Sequence, residues 1–127
     1  AVLEGKLYAV GGYNSDDGGL ASVERYDPAA NAWEAVAPMA TARYLHATAV
    51  LEGKLYAVGG DSDDDGWLSS VERYDPAVGA WEAVAPMATS VERYDPAANA
   101  WEAVVPMAAA RDFHGMAVLD SKLYAVG

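Results

Sequence analysis

Cysteine is absent from this chain of 127 residues, and histidine occurs only twice, at His46 and His114. The lack of cysteine excludes disulfide bonds, thiolate metal sites and cysteine nucleophiles. Basic residues are scarce as well, since 8 lysines and arginines stand against 19 acidic residues and the formal net charge is -11. This charge opposes binding to nucleic acid and to anionic membranes, and no apolar run is long enough to cross a bilayer. We therefore expect neither nucleic acid nor membrane as a partner, and no cofactor.

The dominant feature of the sequence is an internal repeat of 48 residues. LEGKLYAVGG begins at 3 and 51, SVERYDPA at 22 and 70, and WEAVAPMAT at 33 and 81. A third SVERYDPA begins already at 90, so the third unit lacks the counterpart of residues 42–69. KLYAVG then returns at 122–127 as part of a terminal half unit. Because the chain starts without Met inside a repeat, we expect it to be a piece of a longer array.

Each full unit is predicted to form four short strands, which we name A to D, and no helix. HATAVLEG suits a crowded buried strand A, KLYAVGG is an apolar strand B, SVERYDP alternates as strand C, and WEAV forms strand D. The pairs Gly11-Gly12 and Gly59-Gly60 indicate a strand end where a side chain would not fit. The C-to-D turn exchanges Asn and Gly at one position, which indicates a residue with positive φ: Asn31, Gly79 and Asn99.

The acidic B-to-C loop DSDDDGWLSSVE at 61–72 matches every position of a calcium-binding loop pattern. Its ligands would be the oxygens of Asp61, Asp63, Asp65 and Glu72. Strands rather than helices flank the loop, however, and the sister loop at 13–24 has Tyr and Ser at the first and third ligand positions. We predict a solvated acidic connection and no metal site, with a weak calcium site on these four residues as the alternative.

The apolar run LYAVGG, a tyrosine on strand C and a tryptophan seven positions later resemble the kelch motif. These aromatic residues are Tyr26, Tyr74 and Tyr94, with Trp33, Trp81 and Trp101. The surrounding sequence pattern, SVERYDP…W…PM, is similar to that of the kelch domains of BTB-kelch ubiquitin-ligase adaptors. The resemblance implies an all-β fold of four-stranded antiparallel β-propeller blades, here a partial propeller of about three blades. No stretch resembles a BTB domain, so ligase recruitment does not carry over to this chain.

We expect a single kelch-repeat domain over residues 1–127. Blade one would take residues 1–41, blade two 42–89, a C-D half blade 90–110, and the terminal A-B strands 111–127. Two architectures stay open at this point. The terminal strands could fold back to complete the half blade of their own chain, or they could complete a neighbouring molecule and close the propeller as a homodimer.

In an up-and-down blade the B-to-C and D-to-A loops share one rim, where binding residues are expected. The resemblance implies that Arg43 and Arg111, just before strand A, contact a ligand, with His46 and His114 three residues further on. The structural alternative is an arginine paired with a neighbouring acidic group or carbonyl, and a histidine packed beneath the loop. Trp67 is a candidate exposed anchor because its sister residue is a glycine, although a loop tryptophan also folds back on its own blade.

These observations predict a non-enzymatic module that binds a protein or peptide through the loop rim, in a cytoplasmic location. The net negative charge of the chain favours a basic partner, whereas the two arginines favour an acidic side chain. The sign of the charge on the ligand therefore stays open. One alternative is a structural, self-assembling or truncated repeat array without a ligand. Another is a kelch-type enzyme that acts on a small molecule at the propeller axis.

Overall fold

A computed structural model describes residues 1–87, 91–103, 115–119 and 121–126. Within these ranges the regular structure consists of strands connected by turns, without a helix. In chain order the strands are β1 (Val2–Leu3), β2 (Lys6–Val10), β3 (Tyr13–Asn14), β4 (Gly18–Gly19), β5 (Val23–Asp27), β6 (Ala32–Val36), β7 (Ala47–Leu51), β8 (Lys54–Val58), β9 (Asp61–Ser62), β10 (Gly66–Trp67), β11 (Val71–Asp75), β12 (Ala80–Val84), β13 (Val91–Asp95), β14 (Ala100–Ala103), β15 (Gly115–Leu119) and β16 (Lys122–Val126).

Twelve of the described strands form three antiparallel sheets of four strands each, which confirms the predicted all-β fold of partial propeller blades. Blade one has the order β1-β2-β5-β6 and blade two the order β7-β8-β11-β12. In both, the strands lie side by side in chain order, as expected for an up-and-down blade. Two small hairpins, β3-β4 and β9-β10, occupy the B-to-C loops of these blades.

Blade three has the order β15-β16-β13-β14, so its last two strands in sequence occupy the A and B positions. The pairing of Val91 with Val126 reproduces the pairing of Val71 with Val58 in blade two. The terminal hairpin therefore folds back on the half blade of its own chain. This arrangement corresponds to the first of the two architectures, in which the terminal strands complete the half blade of their own chain.

The turn residues have the backbone conformations that their sequence pattern predicts. At the C-to-D turns φ is 49° for Asn31, 73° for Gly79 and 47° for Asn99. Asparagine tolerates this left-handed region better than most residues, and glycine adopts it freely. The prediction of a positive φ from the exchange of Asn and Gly at this position is therefore confirmed.

Two apolar cores lie between neighbouring blades. The first joins blades one and two and is formed by Leu3, Tyr8, Val23, Met39, Leu55, Ala57 and Tyr74. The second joins blades two and three and is formed by Leu51, Tyr56, Val58, Val71, Val84, Tyr94 and Leu123. Blade two is thus a thin layer whose two faces are buried by different neighbours, and its stability depends on both of them.

The tryptophans of blades two and three fix these blades on the preceding one. Trp81 of blade two donates from Nε1 to the carbonyl of Ala37 in blade one, at 2.8 Å. Trp101 of blade three donates in the same way to Ala85 in blade two, at 2.6 Å. Both rings also pack against the tyrosine opposite them on strand C, with ring centroids 5.3 to 5.5 Å apart. Trp81 and Trp101 therefore combine ring packing with a directional contact between blades.

Across the part of the chain that the structure describes, no helix is long and apolar enough to cross a membrane.

The matched leucines of β2 and β8 test this layered arrangement. Leu55 is 0% exposed between blades one and two, whereas Leu7, at the same repeat position, is 45% exposed. We expect Leu55→Ala to lower the free energy of unfolding by about 2 to 5 kcal/mol, because it leaves a cavity in the core. Leu7→Ala should cost less than about 1 kcal/mol. Urea unfolding at low micromolar protein concentration measures both, and equal losses would contradict the assignment of the core.

Candidate functional site

The D-to-A connection between blades one and two lies between two B-to-C loops and hydrogen-bonds to both. On one side Gly12 N donates to Arg43 O at 2.9 Å, and Arg43 N donates to Leu20 O at 3.1 Å. On the other side Tyr44 and Asp61 exchange two backbone hydrogen bonds of 2.8 and 3.0 Å. We use the term loop rim for these three segments, residues 11–22, 37–46 and 59–70. The structure thus brings together the loops that the blade topology predicts to be neighbours.

Close packing of the backbone explains the glycines of the loop rim. A Cβ atom on Gly11 would lie 2.6 Å from Arg43 O, and one on Gly60 would lie 2.6 Å from Tyr44 O. Both glycines also have positive φ, of 58° and 92°. Glycine is required here because a side chain would push the D-to-A connection away from its neighbours.

Arg43 lies inside the rim with its side chain 0% exposed. Its Nη1 donates to the carbonyls of Gly59 and Ser70, at 2.9 and 3.0 Å. Its Nη2 donates to Ser70 Oγ at 3.2 Å and to Glu72 Oε2 at 2.8 Å. A buried guanidinium needs such a set of acceptors to offset the loss of its hydration.

Glu72, the partner of Arg43, is also buried and holds the backbone of the D-to-A connection. Its Oε1 accepts from Ala40 N at 2.7 Å, and its Oε2 accepts from Thr41 N at 3.3 Å. One carboxylate of blade two therefore binds the charge of Arg43 and the chain that leaves blade one. The predicted contact between Arg43 and a ligand stays a prediction. Such a contact would require the buried ion pair with Glu72 to open.

His46 is half-buried beneath the rim, and its Nδ1 finds no hydrogen-bond partner among the described residues. Burial, assisted by the positive charge of Arg43, lowers the pKa of His46 to about 4. The imidazole is therefore neutral at pH 7. Its surroundings correspond to the structural alternative of a histidine packed under a loop, and its role as a ligand contact stays a prediction. Arg111 and His114 lie outside the described residues.

The four ligands of the alternative calcium site do not converge. Asp61 Oδ1 accepts from Ser62 N at 2.8 Å, and Asp63 Oδ2 accepts from Gly19 N in the neighbouring hairpin at 2.7 Å. Glu72 is held by Arg43 and by the D-to-A backbone. Among the described residues, no group of three or more His, Cys, Asp or Glu side chains could hold a metal ion. The loop is folded as the β9-β10 hairpin, and its acidic groups serve the backbone and face solvent.

Three large apolar or aromatic side chains are exposed on the loop rim. Trp67 is 71% exposed at the β9-β10 hairpin, which places it in solvent and not against its own blade. Tyr13 and Leu45 are exposed as well, and Tyr13 contacts Tyr44 edge-on with ring centroids 5.2 Å apart. We call Tyr13, Leu45 and Trp67 the rim apolar residues. The sequence analysis did not identify Tyr13 and Leu45 as exposed residues. One signal was available for Tyr13, because the sister loop has an aspartate, Asp61, at the same position, and an aspartate is normally exposed.

The electrostatic surroundings of these residues are negative. Burial and the carboxylates of Asp61 and Asp63 together raise the pKa of Tyr44 above its usual value, because they oppose a further negative charge. Asp16 and Asp17 on one hairpin, and Asp64 and Asp65 on the other, are exposed. Since the charge of Arg43 is buried and paired, carboxylates dominate the described surface of the loop rim.

Removal of Arg43 tests the structural importance of the buried pair. Arg43→Met should lower the free energy of unfolding by about 3 to 5 kcal/mol, because Glu72 would remain buried without its counter-charge. Arg25 is the control, since its ion pair with Glu34 is partly exposed to solvent. We expect a much smaller change for Arg25→Met, measured by urea unfolding. Similar losses for the two variants would mean that the buried pair is no more important than a surface pair.

Calcium provides a second test of this geometry. Millimolar calcium should leave the thermal midpoint of the protein unchanged, since Glu72 would have to abandon Arg43 to join a site in the 61–72 loop. A ligand that binds the folded state raises the midpoint, so differential scanning fluorimetry with and without calcium measures the effect. A rise that Asp61→Asn abolishes would establish the calcium site that the geometry disfavours.

Comparisons with known proteins agree with this architecture. The family model described as the Kelch motif matches residues 1–40 and 42–88. Kelch-like protein 35 of Homo sapiens is 54% identical over 44 residues, which are 33% of this chain and 7% of that protein. The Mus musculus protein of the same name is 54% identical over 43 residues, with shares of 32% and 7%. The chain thus matches only a small part of the length of these curated relatives.

The solved structure of the protein YjhT is similar to this chain in three dimensions, with a TM-score of 0.58. Its sequence identity is 20%, and the match covers 68% of this chain and 36% of that one. A likeness at this identity shows the fold alone. The Kelch motif matches the residues that form blades one and two, and these are more than half of the chain. This chain therefore belongs to the kelch-repeat family and forms a partial kelch β-propeller.

Proposed function

We propose that this chain is a non-enzymatic binding module that holds a protein or peptide segment on its loop rim. The observation that carries the proposal is the exposure of the rim apolar residues, Tyr13, Leu45 and Trp67, beside a group of carboxylates. Large apolar side chains in solvent, surrounded by polar groups, are typical of interaction surfaces. Tryptophan and tyrosine are also enriched among the residues that dominate the energy of protein interfaces.

The loops that display these residues are held on a rigid base. Backbone hydrogen bonds join residues 37–46 to both neighbouring B-to-C loops, and the ion pair of Arg43 and Glu72 fixes them from below. A binding surface that is already ordered loses less conformational entropy when a partner docks. The ordered loop rim therefore favours binding of an extended segment to a preformed surface, without ordering of a flexible loop of the protein.

The charge of the rim indicates a basic ligand. Arg43 is neutralised by Glu72, whereas Asp64 and Asp65 are exposed on the same hairpin as Trp67. A lysine or arginine side chain could pair with these carboxylates while it packs on the indole ring of Trp67. The net charge of -11 would in addition accelerate encounter with a basic segment. We therefore propose that the ligand carries lysine or arginine next to an apolar residue.

A panel of peptides tests this function. Fluorescein-labelled peptides of about twelve residues, rich in lysine and leucine, in glutamate and leucine, or in serine, would be titrated with the protein by fluorescence anisotropy. We expect binding of the basic peptide alone. Trp67→Ala should weaken it by roughly tenfold or more, as for a dominant interface residue. Failure of every peptide to bind would favour a structural array without a ligand.

A matched pair of charge variants separates a site from general attraction. Asp64→Asn with Asp65→Asn removes two charges at the rim, while Glu4→Gln with Glu52→Gln removes two exposed charges at the A-to-B turns, on the opposite end of the blades. The rim variant should bind the basic peptide more weakly and with a smaller dependence on salt concentration. Equal weakening by both variants would show a nonspecific response to net charge and would contradict the site.

A further inference from the structure

The two B-to-C hairpins carry the same chemically reactive dipeptide at corresponding positions. Asp17-Gly18 joins the turn of the first hairpin to β4, and Asp65-Gly66 joins the turn of the second hairpin to β10. An aspartate that precedes glycine is prone to rearrangement, because glycine has no Cβ atom to hinder attack by its backbone nitrogen on the carboxyl group. The rate of this reaction depends on how freely the two groups can approach each other, and the structure restrains the two sites differently.

Asp17 is held through both its backbone and its side chain. Asp17 N donates to Asn14 Oδ1 at 2.6 Å, and Asn14 Nδ2 donates to Asp17 Oδ2 at 3.3 Å. The glycine that follows is half-buried, and a Cβ atom on Gly18 would lie 2.4 Å from Oδ2 of Asp63 in the neighbouring hairpin. The same carboxylate oxygen accepts from Gly19 N at 2.7 Å. The first hairpin is therefore fixed both by its own asparagine and by blade two.

Asp65 lacks these restraints. Among the residues that the structure describes, its carboxylate has no hydrogen-bond partner, and its backbone nitrogen donates to Ser62 Oγ at 3.4 Å. That distance is longer than the usual range for such a bond. Gly66 is exposed, and a Cβ atom on it would meet no other atom within 4 Å. The second hairpin therefore leaves both reacting groups room to approach each other.

We propose that Asp65 is a site of spontaneous isoaspartate formation in the folded protein, whereas Asp17 is protected. The backbone nitrogen of Gly66 attacks Cγ of Asp65, so that a C–N bond forms, one water molecule leaves and a five-membered succinimide results. Water then adds to one of the two ring carbonyls and breaks its bond to the nitrogen. Cleavage at the main-chain carbonyl leaves the chain connected through Cγ, which is isoaspartate. Loss and gain of water balance, so the mass of the chain does not change.

This rearrangement would alter the hairpin that displays Trp67. It adds one methylene group to the backbone directly before β10, where Gly66 pairs with Ser62 and Trp67 pairs with Asp61. Pairing between strands depends on the regular spacing of the backbone, so the added group displaces this register. Asp61 also exchanges two backbone hydrogen bonds with Tyr44 of the D-to-A connection. The change therefore reaches the loop rim, and the age of a molecule would determine whether its rim is intact.

Peptide mapping of aged protein tests the proposal. The folded chain is incubated for several weeks at neutral pH and physiological temperature and then digested. Electron-transfer dissociation distinguishes isoaspartate from aspartate at equal mass. We expect isoaspartate to accumulate several times faster at Asp65 than at Asp17.

The chain incubated in urea is the matched control. Both sites have the local sequence Asp-Asp-Gly, so they should react at similar rates once the fold is lost. In the folded protein, Asn14→Ala should raise the rate at Asp17 severalfold and leave the rate at Asp65 unchanged. Far-ultraviolet circular dichroism checks that this exposed substitution preserves the fold.

Three results would overturn the proposal. The first is equal accumulation at the two sites of the folded protein, and the second is faster accumulation at Asp17. The third is a preference for Asp65 that persists unchanged in urea, because the local sequence and not the fold would then be its cause.

Binding of the basic peptide provides a further readout, which rests on the proposed function. Aged protein should bind this peptide more weakly, in proportion to its isoaspartate content. Treatment with protein isoaspartyl methyltransferase and S-adenosylmethionine, which returns isoaspartate to aspartate, should restore the affinity. Affinity that does not change as isoaspartate accumulates would contradict the effect on the rim. Absence of peptide binding by fresh protein would instead contradict the proposed function, and the peptide map is independent of that result.

Discussion

The ion pair between Arg43 and Glu72 is the interaction on which the arrangement of the blades and of the rim depends. Burial of two charges is costly, and the pairing of the charges together with further hydrogen bonds offsets this cost. Here the guanidinium also binds two carbonyls of the blade-two loop, and the carboxylate binds the chain that leaves blade one. The pair therefore joins three segments in one place. It also removes a positive charge from the rim, which leaves its described surface acidic.

The sequence predicted those features that depend on backbone geometry, because local residue choice reports them. Exchange of Asn and Gly at residues 31, 79 and 99 marked turns with positive φ, and the double glycines marked points where loops touch. The direction of a long side chain is not encoded in this way. The position of Arg43 before strand A is the same whether it faces a ligand or Glu72, and only the tertiary structure separates the two. Exposure of Tyr13 and Leu45 escaped prediction because apolar residues in a repeat normally indicate packing.

Identical sequence does not give identical surroundings in this chain. Leu7 and Leu55 occupy the same place in the same KLYAV strand, yet one faces solvent and the other lies in a core. Trp33 and Trp81 differ in the same way, since Trp33 is half exposed whereas the indole nitrogen of Trp81 donates to Ala37 of blade one. The repeated sequence specifies the fold of each blade. The contribution of a residue to stability depends on whether an adjacent blade packs against it. A repeat array is therefore defined by its interfaces as much as by its units.

The strand order of blade three has a consequence for the course of folding. Val58 and Val71 meet across a short loop, whereas Val91 pairs with Val126 and must wait for a segment much later in the chain. Longer separation raises the entropic cost of closure and slows pairing. During synthesis β13 and β14 emerge long before β16, so the edge of β13 stays open while blades one and two can already pack. Blade three is thus the last layer to assemble, and until then its strand edge is available for misassembly with another nascent chain.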